Sequence, residues 1–172
     1  MKTKDLIYVG LCCAVLTVCA YITVPYAVPF TMQTFGVFLT VGLLGKKKGS
    51  AAILVYIILG CIGIPVFSGM RGGISVLLSN TGGYIAGFLI GGYISGLLIE
   101  KTGKLLIPMC IGNLVCYVFG SIWYFAVYTK NTGAVSLVWV LMTCVVPYII
   151  PDFVKICLAA YMTKKLKPHI KL

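Results

Sequence analysis

Asp152 and Lys155, in the stretch Pro151-Asp152-Phe153-Val154-Lys155, put a carboxylate and an ammonium one helical turn apart within a run of apolar residues. A charged side chain inside a lipid-spanning helix costs roughly 2.5–3.5 kcal/mol on insertion scales. Two explanations would retain such a pair. At i and i+3 on one helical face the charges can neutralise each other, or something polar binds there. The chain has only three acidic residues, and the other two, Asp5 and Glu100, lie at the ends of apolar segments.

Other polar groups fall at a similar depth. Gln33 opens an apolar stretch after Val28-Pro29-Phe30-Thr31-Met32, and Asn80-Thr81 lead into another through Gly82-Gly83-Tyr84. Each has a plain structural use: Gln33 as a cap or backbone partner, Asn80-Thr81 as N-cap chemistry. Arg71 sits in a glycine-rich loop, where solvation is the default. Tyr117, Trp123 and Tyr124 are either interface anchors or the wall of a pocket. Their shared depth points to a pocket open on one side of a membrane and closed beneath by apolar packing.

The elements that must position these groups are membrane helices. Hydrophobic residues make up 60% of the 172 residues and charged residues 10%, against about 25% charged in soluble domains. The expected class is an all-α, polytopic membrane protein, one domain over 1–172, with six spans near 6–24, 33–45, 50–66, 82–99, 105–127 and 148–163. The first stretch is long enough to cross a bilayer and lacks a small-x-small exit site, so it reads as a retained helix. The gaps carry turn residues: Pro25 and Pro29, then Pro65, Gly69, Gly72 and Gly73, then Lys130, Asn131 and Gly133. Lys2, Lys4, Lys46, Lys47, Lys48, Lys101, Lys104, Lys164, Lys165, Lys167 and Lys171, eleven of the fourteen cations, fall in the even-numbered gaps and at the termini. Only Arg71 and Lys130 fall in the odd gaps. This asymmetry predicts both termini in the cytoplasm. The segment 134–146 is too short to cross, and Pro147 and Pro151 oppose a straight continuation into the last span. It is expected to form a short helix lying on or dipping into the outer face.

Several functions are disfavoured. The net charge of +11 sits beside apolar runs and forms no basic domain, so nucleic acid is not an expected partner. Gly45-Lys46-Lys47-Lys48-Gly49-Ser50 has the composition of a phosphate-binding loop without its spacing. The eight cysteines form no C-x-x-C and read as small buried residues, with no metal site expected. His169, the single histidine, lies in the basic tail. One intramembrane carboxylate without an intramembrane histidine makes a poor active site, so no enzyme is expected. A solute-binding membrane protein that borrows its motor fits better.

The ordered set Val28-Pro29-Phe30-Thr31-Met32-Gln33-Thr34-Phe35, Leu59-Gly60-x-x-Gly63-Ile64-Pro65-Val66-Phe67, Gly72-Gly73, Thr81-Gly82-Gly83-Tyr84 and Pro147-x-x-x-x-Asp152-x-x-Lys155 resembles the BioY family, biotin-specific substrate-binding (S) components of energy-coupling factor (ECF) transporters. The similarity covers nearly the whole chain. It implies a six-helix S component in the cell membrane that takes biotin from outside. A separate transmembrane coupling protein and two ATPases would complete the transporter, with the S component toppling to release its cargo. It also implies that small residues on the first helix contact the coupling protein; Gly10 and Ala14 match that pattern loosely. Many relatives carry proline where this chain has Asn80, whose amide is then a possible ligand contact. Biotin suits the polar cluster: Asp152 would accept from a ureido N–H, Asn80 or Gln33 would serve either role, and Tyr84 and Trp123 would wall the ring and chain. Lys155 is the nearest cation for the ligand carboxylate and Arg71 the second. Biotin is the transported ligand and no cofactor is expected. The alternatives are an S component for another vitamin and a structural membrane subunit without a ligand.

Overall fold

The computed structural model describes residues 3–133 and 135–170. Lys2 and Lys171, counted above among the cytoplasmic cations, and Ala134, the start of the 134–146 segment, lie outside the described residues. The chain runs α1 (Thr3–Tyr21), β1 (Thr23–Val24), β2 (Phe30–Thr31), α2 (Gln33–Cys61), α3 (Ile74–Leu78), α4 (Gly82–Thr102), α5 (Leu106–Thr132), α6 (Leu137–Cys144) and α7 (Val146–Leu166), with a closing 3-10 turn at Lys167–His169. Four helical segments, Thr3–Tyr21, Gly82–Thr102, Leu106–Lys130 and Leu137–His169, are long and apolar enough to cross a membrane. The protein is a multi-pass, mostly helical membrane protein.

The expected second and third spans share α2, which folds back on itself. Gly45 has φ 75° and ψ −179°, a conformation essentially restricted to glycine. The arms 33–44 and 46–61 are antiparallel: the Gln33 amide reaches the hydroxyl of Tyr56 at 2.8 Å, and a Cβ on Gly49 would lie 2.8 Å from the Val41 Cα. With α1, α4, α5 and α7, the arms make six long helical segments. Glu100 braces the turn by accepting from the Lys46 N–H at 3.0 Å while its other oxygen lies 3.0 Å from the Lys46 ammonium. Lys48 pairs with Asp5 of α1 at 2.7 Å. The second arm ends at Cys61, before the expected limit of residue 66, because Gly63 has φ 102° and a compact turn around Pro65 follows.

Two further features depart from the expected plan. The loop 22–32, with its two prolines, folds into a small antiparallel hairpin pairing Thr23 with Thr31 and Val24 with Phe30. The glycine-rich loop contains the one-turn helix α3. The expected short helix is present as α6, capped by the Ser136 hydroxyl on the Trp139 N–H at 3.2 Å. It stops before α7 because Pro147 has no N–H to continue its ladder.

Helices α4 and α5 pack through two small-residue ridges at spacing four, Gly83, Gly87 and Gly91 against Gly112, Cys116 and Gly120. A Cβ on Gly91 would stand 2.3 Å from the Gly112 carbonyl oxygen, and one on Gly120 would stand 2.2 Å from the Tyr84 ring. Such ridges let backbones approach in a medium that offers little hydrophobic drive between helices. Val37, Phe38, Val41, Ile53, Met109 and Ile156 form a dry core. Cys12, Cys13, Cys19, Cys116 and Cys144 are buried thiols.

Candidate functional site

Above that core, Gln33, Thr81, Tyr84, Asp152 and Lys155 line a single cavity, together with Thr31, Asn113, Tyr117 and Tyr148. They arrive on five supports. The hairpin delivers Thr31, the start of α2 Gln33, the start of α4 Thr81 and Tyr84, the middle of α5 Asn113 and Tyr117, and α7 the ion pair.

Asp152 and Lys155 are 4% and 6% exposed, and their charged atoms lie 2.9 Å apart. The ammonium also donates to the Thr31 carbonyl at 2.7 Å and lies 3.9 Å from the centre of the Phe30 ring. Its donors are therefore spent on a carboxylate, a carbonyl and an aromatic face. Asp152 accepts from Lys155 on Oδ1 and from the Tyr117 hydroxyl at 2.7 Å on Oδ2. Each carboxylate oxygen accepts more than one bond, so Asp152 retains accepting capacity.

Gln33 is held on both sides. Its Oε1 accepts from the Thr31 hydroxyl at 3.1 Å, and its Nε2 donates to Tyr56, whose own hydroxyl donates to the Val66 carbonyl at 3.0 Å. Tyr84 donates to the Cys144 carbonyl at 3.3 Å, tying α4 to α6. Tyr148 donates to the Val28 carbonyl and stacks on Phe30 at 5.8 Å, fastening the hairpin over the cavity. The space left among these groups is a cavity of about 60 Å³.

Three sequence candidates lie elsewhere. Arg71 and Asn80 line a neighbouring hollow with Tyr26, Ala27, Pro29, Ser79 and Thr81. Trp123 is not part of the cavity wall. It is about one-third exposed, and its indole N–H donates to the Ser79 carbonyl at 2.9 Å, pinning the turn before α4. Of the expected aromatic wall Tyr84 lines the cavity, and Tyr117, Tyr148 and Phe88 stand there in place of Trp123. Gly10 and Ala14 share the outward face of α1 with the exposed Ile7, Leu11 and Val18.

Of the two sequence readings of Tyr117, interface anchor or pocket wall, its place in the lining fits the second, while Asn113 and Thr31 are not among the sequence candidates. Asn113 and Tyr117, four apart on α5, are a polar pair on one face of an apolar helix, and that spacing was the available signal. Thr31 had none, because its contribution to Lys155 is a main-chain carbonyl.

Comparison with known proteins agrees with this arrangement. A crystal structure of the S-component for biotin from an ECF-type ABC transporter superposes with a TM-score of 0.86 at 25% identity, covering 98% of this chain and 95% of that one. The biotin transporter BioY of Thermotoga maritima is 36% identical over 165 residues, 95% of this chain and 96% of the relative. A probable biotin transporter BioY from Pyrococcus horikoshii is 39% identical over 168 residues, 97% and 98% of the two chains. The sequence model of the BioY family matches residues 1–172, and the chain belongs to the BioY family.

Proposed function

We propose that this chain captures biotin on the outer side of the cell membrane as the S component of an ECF transporter, with a transmembrane coupling protein and two ATPases supplying the motor. In this reading it is one membrane-embedded domain of six spans, the two arms of α2 being the second and third, with both termini in the cytoplasm. The lysine asymmetry supports that orientation. It is a transport component and carries out no chemistry on its ligand.

The observation that carries the reading is Asp152: a buried carboxylate, held on both oxygens and lining a cavity with Gln33 and Thr81. Its remaining lone pairs suit the ureido N–H groups, and the Gln33 amide or the Thr81 hydroxyl suits the ureido carbonyl. Tyr84, Tyr117 and Phe88 would flank the thiophane ring. A carboxylate in a dry site gives stronger hydrogen bonds than an exposed one. The proposed ligand set is Gln33, Thr81, Tyr84, Asp152 and Lys155, with Lys155 acting through Asp152 and the hairpin. Trp123 supports the site from outside it.

Radiolabelled biotin should bind the purified chain, and Asp152→Asn should weaken binding at least about tenfold, or 1.4 kcal/mol, without loss of fold. The completeness of the Asp152–Lys155 pair favours, as a second reading, a subunit that holds no ligand. That reading prevails when no biotin is retained by the wild-type chain.

A further inference from the structure

The polar cavity comes close to the bilayer along one seam. Helices α4 and α5 close on each other through glycine, but α5 and α7 do not. Their facing sides carry Leu114, Ile149, Ile150, Phe153 and Val154 and leave a groove of about 450 Å³, against about 60 Å³ for the cavity. All five side chains are more than half exposed. Both helices belong to segments long and apolar enough to cross a membrane, so lipid is the medium that these side chains face.

Two residues belong to both spaces. Asn113 and Tyr117 line the groove and also the cavity. A single layer of side chains therefore separates the groove from the buried carboxylate of Asp152, which accepts from the Tyr117 hydroxyl at 2.7 Å. Apart from these two, the groove walls present hydrocarbon and the Cys110 thiol. An ordered water needs about two to four polar partners, which such walls do not supply.

We infer that the groove between α5 and α7 seats an acyl chain of a membrane lipid, which forms the second layer of the wall at Asn113 and Tyr117. The groove is continuous with the lipid-facing surface of the two helices, so a chain enters it sideways from the bilayer without crossing water. Its floor is the buried Ile156. Lipid tails are as apolar as the groove, so transfer from water contributes nothing to the seat. The gain is close contact: the chain supplies the dispersion partners that α5 and α7 do not offer each other. The seat is independent of which ligand the cavity takes.

The test reconstitutes the whole chain in phosphatidylcholine vesicles containing a phosphatidylcholine with a photoreactive diazirine midway along one acyl chain. Mass spectrometry then maps the labelled residues. Leu11 on α1 and Tyr93 on α4 serve as references, since they are similarly exposed, lie outside the groove and sit at a similar distance from the same end of the bundle as Leu114. Labelling of Leu114, Phe153 and Val154 should exceed that of the references by at least about fivefold. In Leu114→Trp, whose indole fills the groove, labelling of Phe153 and Val154 should fall to the reference level, while unchanged labelling of Leu11 and Tyr93 reports a folded chain. Should that variant not fold, Val154→Trp fills the same groove from α7, with Leu114 and Phe153 read in its place. Equal labelling of groove and reference residues in the wild-type chain overturns the seat. So does a groove that stays unlabelled, as it would beneath a second copy of the chain, or labelling that survives the filling substitution. Biotin binding is not read in any of these arms, so their failure leaves the biotin reading standing.

Discussion

The ammonium of Lys155 donates to the main-chain carbonyl of Thr31 at 2.7 Å, so a buried charge on α7 holds the hairpin that leads into α2. The same nitrogen is 2.9 Å from Asp152. One side chain thus satisfies the acid and fastens the cover of the cavity. Removing it leaves an uncompensated buried carboxylate, a loss of about 3–5 kcal/mol, whereas replacing both members of such a pair is often close to neutral. Lys155→Met should therefore unfold at a markedly lower temperature in detergent, and Asp152→Asn combined with Lys155→Met should recover much of the deficit. A double variant no more stable than Lys155→Met would show that the hairpin bond, and not the stranded charge, dominates.

Tyr117 tests the opposite side of the carboxylate. Its hydroxyl donates to Asp152 Oδ2 at 2.7 Å, and a hydrogen bond to a charged group contributes about 1.5–3 kcal/mol. Without it, Asp152 is less firmly oriented toward a ligand. Tyr117→Phe should weaken biotin binding about tenfold. Isothermal titration on the variant reads the change, and an unaltered affinity would place the hydroxyl outside the ligand-binding network.

Packing between α4 and α5 makes a separate prediction. A Cβ on Gly83 would fall 2.1 Å from the Trp123 Cβ and 3.0 Å from the Phe119 carbonyl oxygen, neither the far end of a flexible side chain. Overpacking of this kind costs about 1–3 kcal/mol. Gly83→Ala should lower the thermal unfolding temperature, while Gly133→Ala, where a Cβ meets nothing within 4 Å, should show only the strain of its positive φ.

Much of this architecture is written in hydropathy and lysine placement. The stretches at 82–99, 105–127 and 148–163 correspond to α4, α5 and α7 with ends moved by a few residues, because helix ends are set by caps and hydrogen bonds that periodicity does not encode. The antiparallel arms of α2 were legible as two apolar runs around Lys46-Lys47-Lys48. The hinge itself depends on the φ of Gly45 and on Glu100, a residue 54 positions away. Asp152 and Lys155 stand out as rare charges in an apolar chain, Gln33 and Thr81 as polar groups at a shared depth, and Tyr84 enters only through the family resemblance. Thr31 and Tyr148 do not stand out, since one acts through its backbone and the other through a hydrogen bond 120 residues back to Val28. Trp123 and Asn80 share the depth of the site but are aimed elsewhere, and depth along the chain says nothing about the direction in which a side chain points.

The outward face of α1 gives the last prediction, which concerns transport and not binding. Gly10 and Ala14 lie one turn apart and exposed, and a Cβ on Gly10 meets nothing within 4 Å. Nothing within the chain needs a glycine there. Small residues at spacing four allow a second helix to approach closely in a bilayer, which suits contact with the coupling protein. Leucine at both positions should fill that approach without touching the cavity, whose lining includes no residue of α1. The variant carrying Gly10→Leu and Ala14→Leu should keep wild-type biotin affinity and unfolding temperature, while uptake by cells supplying the coupling protein and ATPases should fall by about tenfold or more. Uptake at the wild-type rate would move the docking surface off α1.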